Sequence, residues 1–172
     1  MLDTSAFLAG FDPFSVSEDQ FTAPTVENEI RANSMSWVRF KAAVENGKVK
    51  IKAPSEEYWN KVKASAKKVG DAFFLSETDL QILALASELK AEGYTPQIVT
   101  DDYSIQNVAT QIGIEFVSLA TFGIKRLLEW IRYCPACYRK YPADYNSTTC
   151  EVCGTDLKRK PRRTAKKLKD TN

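Results

Sequence analysis

No histidine occurs anywhere in the 172 residues, and that one absence removes several classes of chemistry. Ser-His-Asp and Cys-His nucleophile systems, two-histidine metal sites and the zinc chemistry of nucleobase deaminases are all excluded. Cysteine is nearly as scarce: there are four, all between Cys134 and Cys153. Long apolar runs are missing too. The longest uncharged apolar stretch near the middle, Phe116 to Ile124, falls well short of the roughly 20 residues a bilayer-spanning helix needs, so no membrane association is expected. Met1-Leu2-Asp3 sets no basic residue ahead of the first apolar ones, so no signal peptide is expected and a cytoplasmic protein follows as the default. Hydrolytic chemistry in such a chain has to rest on carboxylates, metals or lysine.

The size holds one medium domain plus a small module, and 44% hydrophobic with 27% charged residues is ordinary for a globular chain. The formal net charge of +2 conceals an asymmetry. Lys158, Arg159, Lys160, Arg162, Arg163, Lys166, Lys167 and Lys169 give the C-terminal stretch +8, so everything else carries −6. An acidic body with a basic tail points to an acidic site in the one and a polyanionic partner for the other.

The apolar pattern alternates between strand and helix periods. Short strands are expected at Leu2, at Gln20–Ala23, from Val49 to Ala53, at Gln97–Thr100 and at Ile114–Val117. Helices are expected from Pro24, across Ser36–Glu45, from Ser55 to Gly70, from the capping box Ser76-Glu77-Thr78-Asp79 to Gly93, and from Ile105 to Gly113. Strands alternating with helices predict a three-layer α/β/α domain with a mainly parallel sheet over residues 1–120. Ligands of such domains bind beyond the carboxyl ends of the strands, where Asp3 and Asp101-Asp102 fall. Residues 121–133, with Lys125, Arg126, Leu127, Leu128 and Trp130, read as a connecting segment with a short helix. Residues 158–172 read as a basic, flexible tail.

Between them, over residues 134–157, Cys134-Pro135-Ala136-Cys137 and Cys150-Glu151-Val152-Cys153 form two C-x-x-C pairs twelve residues apart, with Gly154 after the second. Four thiolates at this spacing suit one tetrahedral zinc ion. Such a short segment buries too little to fold without it. Two disulfides or a redox pair are the competing readings, disfavoured in an intracellular chain. Four protein ligands leave no open position, so this zinc is expected to be structural. Arg132, Arg139 and Lys140 beside Tyr138, Tyr141 and Tyr145 offer cations and rings that either meet RNA or pack the ribbon.

The acids of the body, Asp3, Glu27, Glu29, Asp79, Asp101 and Asp102, suit a hard divalent cation if they converge, although each alone has a structural explanation as a helix cap or solvated residue. Their surroundings are more specific. Asp3-Thr4-Ser5, Asn28-Glu29-Ile30, the run Leu75-Ser76-Glu77-Thr78-Asp79-Leu80-Gln81-Ile82-Leu83-Ala84, and Thr100-Asp101-Asp102-Tyr103-Ser104-Ile105-Gln106-Asn107-Val108 resemble a PIN-domain ribonuclease. Together with the cysteine module they resemble the Nob-type (Nin-one-binding) endonucleases that mature the 3′ end of small-subunit ribosomal RNA, the compact length fitting an archaeal member.

That resemblance implies a metal-dependent endoribonuclease using one or two Mg²⁺ or Mn²⁺ ions. Asp3, Glu29, Asp79 and Asp101 or Asp102 would be the catalytic and metal-binding acids, with both members of the last pair retained and Glu27 an alternative. Thr4 and Ser5 would orient Asp3, and Asn107 would support the site from behind. Precursor rRNA, the small ribosomal subunit and other ribosome assembly factors would be the partners, with Arg132, Arg139, Lys140, Lys158, Arg159, Lys160, Arg162 and Arg163 holding RNA. The rival readings are a VapC-type toxin that cuts transfer or messenger RNA, and a non-catalytic rRNA-binding assembly factor. Only Met1 and Leu2 precede Asp3, so the first strand is expected to be short and weakly bonded.

Overall fold

A computed structural model describes residues 1–30, 32, 34–120, 123–124 and 127–162. The order of elements is α1 (Thr4–Leu8), β1 (Gln20–Thr22), α2 (Pro24–Glu29), α3 (Met35–Glu45), β2 (Val49–Ile51), α4 (Glu56–Val69), α5 (Glu77–Ala91), β3 (Gln97–Val99), α6 (Tyr103–Ile112), β4 (Glu115–Val117), β5 (Trp130–Tyr133), β6 (Lys140–Tyr141) and β7 (Lys158–Pro161). The Ser76 capping box and the two glycine stops fall where the sequence implies. By contrast, α3 is capped by Ser34 ahead of the expected start at Ser36, and Ser55 stands at the N-cap of α4 without a side-chain bond. Ser34 Oγ accepts from Trp37 N, Ser76 and Asp79 close a full capping box on α5, and Gly70 and Gly113 end α4 and α6 in the left-handed region.

β1 pairs with β2 and β3 with β4, both parallel. Residues 1–3 join the two pairs. Leu2 bridges Val99 in parallel, Leu2 N donates to Phe21 O at 2.8 Å, and Thr22 Oγ1 donates to Leu2 O at 2.7 Å. The first strand is therefore short, as expected, but not weakly bonded. The Phe21 carbonyl and Thr22 hydroxyl hold it on the β1 side, and main-chain bonds from Asp3 N to Val99 O and from Val99 N to Met1 O hold it on the β3 side. Phe7, Phe40, Val26, Ile82, Leu83, Leu85, Ile98 and Ile105 are all fully buried, and they make one continuous core between sheet and helices. The N-terminal part is thus mixed α/β with parallel strands. A three-stranded antiparallel sheet in the order β6-β5-β7 forms the C-terminal part. Among the described residues no helix is long and apolar enough to cross a membrane.

Two expectations need correction. Trp130–Tyr133 is a strand, not part of a connecting helix, while Lys125 and Arg126 lie outside the described residues. The physical reason lies just upstream. Both main-chain groups of Leu128 are taken by Asn107, whose Oδ1 accepts from Leu128 N and whose Nδ2 donates to Leu128 O, so they are not available to a helix. Likewise Lys158–Pro161 is no flexible tail but β7, paired along its length with β5. A run of charged residues can form a strand when its partner supplies the apolar side, here Trp130 and Ile131.

Candidate active site and four-cysteine centre

Asp3 ends the central strand and occupies the N-cap position of α1, yet its carboxylate does not cap that helix. Instead Oδ2 accepts from Ser5 Oγ at 2.7 Å and from Thr100 Oγ1 at 2.8 Å. With Asp3 only 4% exposed, burial raises its pKa above the ordinary carboxylate value against the pull of those hydroxyls. Thr100, at the end of β3, also accepts from Asp102 N at 3.1 Å, and Ser5 Oγ accepts from Asp101 N at 3.1 Å. Two hydroxyls therefore stitch the ends of two neighbouring strands together around one carboxylate. The Thr4 backbone acts on the Asp3 carboxylate, while its hydroxyl donates to Glu29 Oε2 at 2.5 Å and tethers the exposed end of α2 to the same place.

Asp79 arrives from α5. One of its oxygens accepts from Ser76 N at 2.6 Å, and its pKa is raised to about 6, first by desolvation and then by the charges of Asp3 and Asp102. Asp79 therefore lies in the field of both Asp3 and Asp102. Asp102 uses Oδ1 to cap α6, accepting from Ser104 N and Ile105 N. Asp101 turns the other way: Oδ1 accepts from Leu119 N and Ala120 N, and Oδ2 from Ala120 N. Consecutive residues leaving a strand point to opposite sides, so one of the adjacent pair joins the acid group and the other fixes the loop after β4. Glu27 pairs with Lys41 at 3.2 Å.

All the donors gathered here are carboxylate oxygens, which fit a hard divalent cation and no soft one. They stand more openly than the cysteines do. Among the described residues the four cysteines are the group whose ligand atoms all fall within 4.8 Å of one another. Mg²⁺ characteristically keeps several waters between itself and its carboxylates, so a wider acid group suits it.

The Gln106-Asn107 pair in the last motif plays a different part from the one expected of Asn107. Both residues are buried. Gln106 holds Thr100 O, Ser118 Oγ and Ile124 N, and Asn107 holds Leu128 and Asp71. They clamp the connecting segment onto α6. Thr100 and Gln106 support the strand ends from within the last motif, whereas Asp71, which bonds Asn107 and Arg159, did not stand out in the sequence.

In the C-terminal sheet the two C-x-x-C turns face each other. Cys134 Sγ lies 3.4 Å from Cys153 Sγ, and Cys137 Sγ lies 3.5 Å from Cys150 Sγ. Four sulfurs at about 2.3 Å from one tetrahedral ion would be about 3.8 Å apart, so the group fits a metal ion. Tyr141 is buried against Tyr145, and its hydroxyl, 3.0 Å from Cys150 Sγ, lowers the pKa of that thiol toward the ligand form. Tyr141 therefore packs the module, while Tyr138 stands exposed.

The basic residues divide sharply. Arg159 is not a free surface cation: it pairs with buried Asp71 at 3.1 Å and lies over the rings of Phe74 and Trp130. Arg132 donates to Ser147 O and lies over Phe73. Both guanidinium groups are thus engaged within the chain. Lys140, Lys158 and Arg139 are exposed, Arg139 being 3.7 Å from Glu151. Lys140, Lys160 and Arg162 line one cleft beside Ile131 and Pro142. Arg163 lies outside the described residues.

Residues 1–89 match the family described as the PIN domain of ribonuclease. Over 160 residues the chain is 39% identical to endoribonuclease Nob1 of Methanocaldococcus jannaschii, covering 93% of this chain and 76% of that one. It is 38% identical over 163 residues to endoribonuclease Nob1 of Pyrococcus abyssi, covering 95% and 94%. Ribonuclease VapC1 of Thermoplasma acidophilum is 37% identical over 111 residues, covering 64% of this chain and 54% of that protein. The first two similarities are long enough to take in the four-cysteine module as well as the acids.

Proposed function

The chain belongs to the Nob1 family of PIN-domain endoribonucleases, and on that premise we propose that it cleaves precursor small-subunit (16S-type) rRNA near its 3′ end during ribosome maturation. What supports this reading is the network that ties Asp3 through the Thr100 hydroxyl to the Asp102 amide at the end of β3. Asp79, in the first turn of α5, lies under the charges of both, and Glu29 is tethered by Thr4. Asp101 is set aside in favour of Asp102, because amides of the 119–120 turn occupy both of its oxygens. Ser5, Thr100, Ser76 and Thr4 hold the acids in orientation, so their mutual repulsion does not splay them apart. One or two Mg²⁺ or Mn²⁺ ions bound there would neutralise the acids, lower the pKa of a bound water and stabilise the leaving 3′ oxygen, giving a 3′-hydroxyl and a 5′-phosphate.

The four cysteines would hold one structural zinc ion, which leaves no open coordination position for chemistry. Arg139, Lys140, Lys158, Lys160 and Arg162, with Arg163 and the cations beyond it, would draw a polyanion toward an otherwise repellent acidic body. The small ribosomal subunit and its assembly factors are the partners this reading implies.

The test is cleavage mapping of a precursor rRNA fragment spanning the mature 3′ end, with transfer RNA as competitor, for wild type and Asp3→Asn. A single cut near the mature end that Asp3→Asn abolishes is the expected result. Preferential cutting of transfer RNA would sink the rRNA assignment in favour of a toxin-like specificity.

A further inference from the structure

The loop between α4 and α5 grips the C-terminal sheet through a buried charge. Asp71 is 1% exposed, and its two oxygens are shared between the body and the ribbon: Asn107 Nδ2 donates to Oδ2 at 2.6 Å and Arg159 Nη1 to Oδ1 at 3.1 Å. The Arg159 guanidinium lies 3.4 Å from the Phe74 ring centre and 4.3 Å from that of Trp130, and Arg132 lies 4.2 Å from Phe73. Gly70 completes the seat. A Cβ there would stand 2.8 Å from Trp130 Cβ and 3.0 Å from Trp130 O, so β5 runs directly against the end of α4. A carboxylate this deeply buried needs its cation and its amide to be tolerated, which makes the pairing specific and not an incidental surface contact.

The elements that grip the ribbon also present the acids. The loop carrying Asp71, Phe73 and Phe74 runs directly into the Ser76–Asp79 capping box. Helix α6 carries Asp102 at its first turn and Asn107, the other partner of Asp71, just over one turn later. A shift of the ribbon relative to this loop is therefore a shift relative to the scissile position.

We propose that Asp71 and Arg159 are positioning residues that lock the four-cysteine ribbon in one place on the nuclease body, and that this lock sets which phosphodiester of a ribbon-bound RNA reaches the acids. The inference rests on the nuclease reading of the acid group but not on the identity of the RNA. Neither residue touches the reacting atoms, so neither is needed to cut an RNA too short to reach the ribbon.

Two measurements on the metal-loaded full chain decide it, with Arg159→Gln and the double variant Asp71→Asn/Arg159→Gln, which leaves no unpaired buried charge. ¹⁵N relaxation should show wild-type amides of β5–β7 tumbling with those of α5 and α6 as one body, and a shorter correlation time for the ribbon alone in the variants. On a long RNA the wild type should give one dominant cut, and the variants should spread it over neighbouring phosphodiesters, with kcat/KM on a short oligonucleotide within about twofold. Independent tumbling in wild type overturns the lock. An unchanged cut pattern in a variant whose ribbon is released overturns its role in positioning. An equal loss on long and short RNA would mark a merely structural or catalytic contribution and also overturns it. Cutting of some other RNA in place of precursor rRNA would defeat the substrate assignment alone, since wild type and variant are compared on whichever long RNA is cut.

Discussion

Asp79 carries two loads at once, a helix cap and a charge among other charges, and a single substitution separates them. Asp79→Asn keeps an oxygen for Ser76 N but removes the anion. Cleavage should fall by at least roughly 100-fold, because a neutral amide is a poor ligand for a hard cation. Stability should respond in the opposite sense. The folded pKa of Asp79 is raised to about 6 by burial and by Asp3 and Asp102, so without a bound divalent ion its ionisation destabilises the fold. That cost is absent below the ordinary carboxylate value near 4, grows as pH rises toward 6, and is constant above. Full conversion of the rise would be ~3 kcal/mol; partial exposure of the side chain reduces it to about 1 kcal/mol. Denaturation in Mg²⁺- and Mn²⁺-free buffer should therefore show Asp79→Asn gaining about that much on wild type between pH 4 and pH 7. A variant that loses melting temperature equally at both pH values and keeps its activity would leave Asp79 a cap and nothing more.

The two cysteine turns share one backbone conformation and fill it with different residues. Each places the residue after its second cysteine in the left-handed region, Gly154 at φ 71° and Tyr138 at φ 59°. A glycine adopts that backbone freely, whereas a tyrosine is strained there by about 1 kcal/mol. Tyr138 is 75% exposed, so its ring contributes little packing in return. Tyr138→Gly should offset part of the strain, less the greater backbone entropy glycine loses on folding, and so leave the ribbon equally or slightly more stable. Competition with a chelator should show metal retention no weaker than wild type. Several-fold faster metal loss would mean that the exposed ring supports the turn after all. Elsewhere among the elements the sheet makes the same point about local cost. β3 and β4 are three residues each, and they gain definition from burial of Ile98 and from the crossover helix α6, not from strand length.

Across the whole molecule, charge is segregated. Residues 158–162 belong to the ribbon by pairing and by the Asp71–Arg159 contact, so a truncation meant to test the basic tail has to begin at Arg163. Removing residues 163–172 deletes four cations and one acid without touching β7. Each lost phosphate contact lowers the slope of log affinity against log salt by roughly 0.7–0.9. RNA binding should therefore weaken and its salt dependence flatten by up to about three units, with cleavage of a short RNA at saturation unchanged. The loss should be similar for RNAs of different sequence, since flexible lysines and arginines mainly meet the backbone. Titration at several salt concentrations gives the slope directly; an unaltered slope would remove those cations from the interface.

What the chain by itself determined was everything governed by neighbours in sequence. The Ser76–Asp79 cap, the ends of α4 and α6 at Gly70 and Gly113, the alternation of short strands with helices and the two C-x-x-C turns are local patterns. They could be read before any contact was known, and so could the resemblance to a PIN-domain ribonuclease. Tertiary structure decided what depended on direction and distance. Asp101 and Asp102 are indistinguishable in a string, and only the geometry at the end of β3 gives Asp102 the cap of α6 and Asp101 the 119–120 amides. Arg159 reads as one basic residue among eight, and its partner Asp71 lies 88 positions away, with no local pattern linking them. Lys158–Pro161 carries no apolar periodicity of its own and becomes a strand because β5 offers it one open edge. Local propensity is a property of a few adjacent residues, whereas the orientation of a carboxylate and the burial of a charge are set by chain segments that meet only after folding.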